Sequence, residues 1–295
     1  MISIMNYIYL ATASAIIFAC TIILVKYISK HVIKDFHSFF FWTYVTGLPF
    51  VFLIPLYYGF SFDSSFIFPI IIHSILLTLG QYFFSRGVYL TDASVIGPLF
   101  QLQSGFIVLL ATIFLGEKFG PLVYGYLVLL ILGAMLVSIT NKTKIRGFFQ
   151  KGVLYIIGMQ VLHAGANIAV GFALKHTSNW QVLFYSFLFN SIIVTIYVLI
   201  KRAPITHDFS KIKWMLARAF LLVSATALLY KAFESNMSIS ATIGLLSSPL
   251  VFIISVVSAV IFPSLLEKQS SRTYLIRTIG MLMILFGAWK IMMYR

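Results

Sequence analysis

Acidic residues are scarce in this sequence: Asp and Glu together number seven in 295 residues, and charged residues of either sign make up only 9%. A domain surrounded by water carries about a quarter of its residues charged, so most of this chain must meet a different solvent. None of the seven acids falls in the middle of a long apolar run. Asp35, Asp63, Asp92, Glu117, Asp208, Glu234 and Glu267 all stand at run ends or in the joints between runs. That excludes a pump for permanent organic cations, which needs a buried carboxylate to pair the cation and exchange protons. Cysteine is nearly absent as well. Cys20, alone inside the first apolar run, leaves no internal disulfide and no thiolate metal cluster, and we expect neither metal nor cofactor. Long polar stretches are also missing, so no joint houses a soluble domain.

What is there is apolar: 61% hydrophobic residues and a mean hydropathy of +1.01. A helix needs about 20 such residues to cross a hydrocarbon core, and only helices and closed barrels satisfy their backbone groups in lipid. Barrel strands would alternate over about ten residues, half the length of the runs here. We therefore expect an all-α membrane protein with ten spans, at residues 5–28, 35–58, 66–89, 93–115, 119–140, 151–174, 178–201, 212–234, 240–263 and 272–294. The first run lacks the basic segment that precedes a cleaved signal peptide, and we read it as a span. The net charge of +14 would suggest nucleic acid in a soluble protein. Here the basic residues gather at span ends, where they meet anionic headgroups, and we expect no nucleic-acid partner.

The run order repeats. Ser94-Val95-Ile96-Gly97-Pro98 leads to Glu117-Lys118, while Ala241-Thr242-Ile243-Gly244 and Pro249 lead to Glu267-Lys268. The Glu-Lys pairs lie 150 residues apart and the prolines 151. Gly133-Ala134 and Gly287-Ala288 follow in the next runs. Two repeats are implied, residues 1–145 and 146–295, and five crossings per repeat invert the second against the first. The stretch Arg86-Gly87-Val88-Tyr89-Leu90-Thr91-Asp92-Ala93-Ser94 through Leu115-Gly116-Glu117-Lys118, with its echo from Tyr230-Lys231-Ala232-Phe233, resembles the drug/metabolite transporter superfamily, specifically its EamA-type ten-helix members. The second span departs from the pattern: Phe41-Trp42-Thr43-Tyr44 replaces a basic residue often found early in that helix. The resemblance implies transport of metabolites such as amino acids or nucleoside-like compounds, with both termini cytoplasmic. Charge points the other way. Sixteen of the 21 Lys and Arg, including Lys26, Arg86, Arg218 and Arg277, belong to the face opposite the termini, which by the positive-inside rule puts the termini outside.

Polar residues inside the spans are the candidate site. In the sixth span Gln160, His163 and Asn167 share a face that continues through Gly171 to Lys175. Strongly polar groups at membrane depth mark function, or else they bond a neighbouring helix. His163 is the mid-span group that titrates near neutrality, hence the candidate for proton coupling. Gln81 in the third span, Gln101 in the fourth and Asn190 in the seventh are costly to leave unpaired and join it as candidate substrate ligands. Ser74, Thr78, Ser85, Ser94, Ser104 and Ser186 share their faces. Tyr44 and Tyr230 are candidate walls. Arg86 and Lys231, at related points of the two repeats, would hold an anionic group from opposite sides, unless they snorkel to headgroups. Pro98 and Pro249 are expected to kink the fourth and ninth helices.

No nucleotide-binding motif is present to power the chain. The reading is a secondary transporter of the cell (inner) membrane, monomer or homodimer, moving a small neutral, zwitterionic or anionic metabolite by alternating access. A translocator of lipid- or nucleotide-linked groups is the alternative. An intramembrane enzyme would need a nucleophile with an adjacent base or a metal cluster at membrane depth, and the sequence offers neither.

Overall fold

The computed structural model describes residues 2–59, 62–115, 119–139, 148–244, 246–261 and 269–293. Those residues form ten helical rods and no strand. The first rod, α1, is Ile2–Tyr27 and widens into a π-helical turn at Ile28–Val32. Next, α2 comes in three pieces, Phe36–Val45, Leu48–Val51 and Leu53–Tyr58. After α3, Ser64–Leu90, the fourth rod α4 is split into Ala93–Leu99 and Leu102–Leu115. Then follow α5 at Pro121–Val137, α6 at Lys151–Ala173, α7 at Asn179–Lys201, α8 at Phe209–Gly244, α9 at Ser247–Ile261 and α10 at Ser271–Met293. Eight of the ten are long and apolar enough to cross a membrane, and α5 and α9 are shorter apolar helices.

The scarce acids start helices. Asp35 accepts from the Ser38 backbone N–H at 2.6 Å, Asp63 from Ser65 at 2.8 Å and Asp208 from Ser210 at 2.9 Å. Each satisfies a donor that the first helical turn leaves open, with its charge at the positive end of the helix dipole.

One expected boundary is corrected. The joint between the eighth and ninth spans was placed at Ser235 to Ser238, and the ninth span at 240–263, yet α8 runs unbroken to Gly244. Polarity without Gly or Pro does not stop a helix, and Ser235-Asn236-Met237-Ser238 contains neither. Gly244, the first glycine past that stretch, is where the helix ends.

The helices pack in pairs. α3 lies on α6 and α1 on α8, while α2 pairs with α7, α4 with α9 and α5 with α10. Exchanging every helix with the one five places on turns the α3·α6 pair into α8·α1 and maps the other three onto themselves. The lesser contacts obey the same exchange: α4 with α6 answers α9 with α1, and α3 with α7 answers α8 with α2. Outside, Leu56, Tyr57, Ile113, Leu199 and Ile200 are exposed, the surface a lipid solvent calls for.

Candidate functional site

Among the helices lies a cavity of about 640 Å³. Among the described residues every rod except α5 contributes to its wall. Of the sequence candidates, Gln81 reaches it from α3, Gln101 from the break in α4, and Gln160, His163 and Asn167 from one face of α6. Tyr44 comes from α2 and Asn190 from α7. Phe18, Phe84, Phe100 and Phe187 supply much of the apolar wall.

Two candidates lie elsewhere. The Arg86 guanidinium sits 3.7 Å above the Phe36 ring, in a cation–π contact outside the lining. Lys231 is exposed and absent from the wall. The Tyr230 side chain lies outside the described residues. As for the prolines, Pro98 is buried immediately before the interruption of α4 at Phe100 and Gln101, while Pro249 is the third residue of α9.

Hydrogen bonding divides the cavity's polar groups into two sets. In the satisfied set, Thr78 Oγ1 donates to Asn190 Oδ1 at 3.0 Å and Gln81 Nε2 to Ser85 Oγ at 3.4 Å. Gln101 Nε2 donates to Ser248 Oγ at 2.9 Å, and that hydroxyl donates on to the Gly97 carbonyl at 2.8 Å. The break in α4 is thereby tied to the start of α9. His73 Nδ1 stands 2.8 Å from the Ala166 carbonyl.

The second set is unsatisfied. Among the described residues seven buried side-chain polar atoms have no partner, and four of them belong to cavity residues: Gln160 Nε2, His163 Nε2, Ser186 Oγ and Arg218 Nε. Buried polar atoms in folded proteins are nearly always bonded, so four exceptions on residues of one cavity make that cavity the candidate site.

Arg218 and His73 were not among the site residues read from sequence. Arg218 was assigned with the headgroup-facing cations because it stood near the start of the expected eighth span. In fact α8 begins at Phe209, so Arg218 is its tenth residue and only 5% exposed. The signal was available: Arg218, Leu222, Thr226 and Leu229 recur at spacings of four, four and three, and all four line the cavity.

Lys26 and Arg277 also turn inward rather than toward headgroups. Lys26 Nζ donates to the carbonyls of Val88 and Thr91, each at 2.8 Å. Arg277, fully buried, pairs with Asp92 at 2.9 Å, donates to Ser94 Oγ and reaches the Ile139 carbonyl at 2.9 Å. Gln269 Nε2 donates to the same Asp92 oxygen at 3.1 Å. This network stitches the α3–α4 joint to α10 at the end of the bundle away from the chain termini. No cavity residue belongs to it. The lining instead extends to Ser247, at the start of α9, and Ile291, near the end of α10, both on the terminus-bearing side. The lining thus stops short of the network and reaches toward the terminus-bearing side.

The EamA-like transporter family model matches residues 5–139. No curated protein matches the sequence significantly. A solved chain, described only as the crystal structure of a protein, superimposes with a TM-score of 0.55 over 93% of this chain and 95% of its own length. At 16% identity it supports the fold alone.

Proposed function

Residues 5–139 being an EamA-like transporter domain, we propose that the chain is a secondary transporter of the cell membrane whose central cavity binds a small organic metabolite. That family makes it a multi-pass membrane transporter of a small molecule and not an enzyme. The observation that carries the reading of the cavity is its four unpartnered polar atoms, gathered between helices of both halves. Residues 1–145 and 146–295 act as the two moving units. In the state described here the Asp92–Arg277 network holds one end shut. Transport requires that network to open while the terminus-bearing end closes, with the breaks in α4 and between α8 and α9 giving the helices room to bend.

Gln160, His163, Asn167 and Asn190 are the neutral ligands of a bound metabolite, and His163 is the cavity's proton-coupling group. The test is counterflow in proteoliposomes loaded with labelled metabolites. Gln160→Leu removes one hydrogen bond to the substrate and is expected to raise KM roughly five- to tenfold, about 1–1.4 kcal/mol. His163→Ala should abolish the pH dependence of uptake. An unchanged KM in the first variant would remove the cavity as the substrate site, and an unchanged pH profile in the second would remove the proton role.

A lateral groove of about 840 Å³ between α3, α4 and α6, apolar with Lys175 and His176 at one end, keeps the translocator of lipid-linked groups as the second reading. In that case Lys175→Ala, and not Gln160→Leu, would impair transport.

A further inference from the structure

Among the described residues three cations other than histidine are buried: Lys26, Arg218 and Arg277. Two are compensated at the closed end, Arg277 by the Asp92 carboxylate and Lys26 by two carbonyls. Arg218 is different. Its Nη1 donates to the Thr43 carbonyl at 2.8 Å, its Nε is buried without a partner, and no described carboxylate pairs with it. A guanidinium remains charged under physiological conditions, and burying it without an anion is a standing penalty in a lipid-embedded bundle. The Thr43 carbonyl is its one described partner on the cavity wall, and no Asp or Glu lines the cavity to neutralise the charge. Such a charge persists where an anion from outside is its partner.

We propose that the cavity's substrate is an organic monocarboxylate, whose anionic group docks on Arg218 and whose apolar body lies against Phe18, Phe84 and Phe187. This rests on the cavity being the transport site. The chemistry limits the class. Thr43 occupies Nη1, which leaves the Nε side of the guanidinium, the edge whose parallel N–H groups match a carboxylate. A substrate ammonium would find no described carboxylate, so a deaminated acid fits better than its amino acid. A phosphate ester would bring a second negative charge against a single unpaired cation. Ser186 Oγ and Gln160 Nε2, buried without a described partner, are the candidates for a second polar group on the acid.

The experiment is thermal unfolding of the purified full chain with matched probes. These are 3-phenylpropionate, its amide, phenylalanine and phenyl phosphate, and the straight-chain acids from butyrate to octanoate with their amides. At least one acid is expected to raise the unfolding temperature at millimolar concentration while its amide does not. Arg218→Met should lose that shift and unfold at a higher temperature than wild type without ligand, since a buried unpaired charge is gone. Arg218→Lys should keep part of the shift. The proposal is overturned if no acid acts, if an amide, phenylalanine or phenyl phosphate acts as strongly as the acid, or if Arg218→Met responds like wild type. It is also overturned if Arg218→Met lowers the ligand-free unfolding temperature and Arg218→Lys restores it, which would make the residue a tie to Thr43. Counterflow with the same probes separates the two readings. Exchange of the amides without the acids ends the monocarboxylate inference alone, whereas acids that stabilise the protein but never exchange end the cavity as the transport site.

Discussion

Gly80 leaves the space that the His163 imidazole occupies: a Cβ there would stand 2.6 Å from its Cδ2 and 2.8 Å from its Nε2. The ring is therefore positioned by an absence on the facing helix. Gly80→Ala must push the imidazole toward the cavity, and we expect it to alter the pH profile of proteoliposome uptake while α3 still forms; a profile identical to wild type would separate His163 from the transport cycle. Outside the membrane, the Ser65 backbone N–H holds the Asp63 carboxyl below the usual carboxylate range, and the Ser210 hydroxyl and N–H do the same for Asp208. A depressed folded-state pKa contributes stability that is present above the unfolded value and lost as pH falls through the folded one. Asp63→Asn keeps the capping oxygen without the charge. Its unfolding temperature should lie below wild type at neutral pH, and the two should converge below about pH 4, where the unfolded carboxyl protonates.

At the scale of the helix, α5 and α10 meet backbone to backbone. A Cβ on Gly133 would lie 2.7 Å from the Gly280 carbonyl oxygen, and one on Gly280 would lie 2.6 Å from that of Gly133. Neither neighbour is a side chain that swings aside, so Gly133→Ala or Gly280→Ala has to separate the helices. We expect a loss of roughly 1–3 kcal/mol, read as a lower unfolding temperature; at Gly171, where added atoms meet open space, alanine should show no such loss. Helix existence was legible from run length alone, since lipid leaves few alternatives. The end of α8 was not, because the reading placed a joint at polar residues that a helix tolerates.

For the whole molecule, the Asp92–Arg277 pair ties the joint between α3 and α4 to α10, and the proposed cycle needs it to hold that end shut. Asp92→Asn alone leaves Arg277 buried and uncompensated, which is expected to destabilise the chain by about 3–5 kcal/mol. The double variant Asp92→Asn with Arg277→Met removes both charges and should recover most of that stability while loosening the closed end. A single cysteine introduced at Ser94, in a Cys20→Ser background, should label faster in the double variant than in wild type; equal rates would show that the pair does not hold that end shut.

Solvent explains which features needed no coordinates. Composition alone required helices, run lengths alone required about ten of them, and helical spacing alone put Gln160, His163 and Asn167 on one face. The direction of each cation was decided only in three dimensions. Lys26, Arg86, Arg218 and Arg277 look alike in sequence, as basic residues near span ends. One stacks on a ring, one bonds carbonyls, one meets a carboxylate, and one lines the cavity with no described carboxylate beside it. A long flexible side chain near a helix end reaches either the headgroups or the bundle interior, and which it does depends on the helix packed beside it, not on its place in the chain.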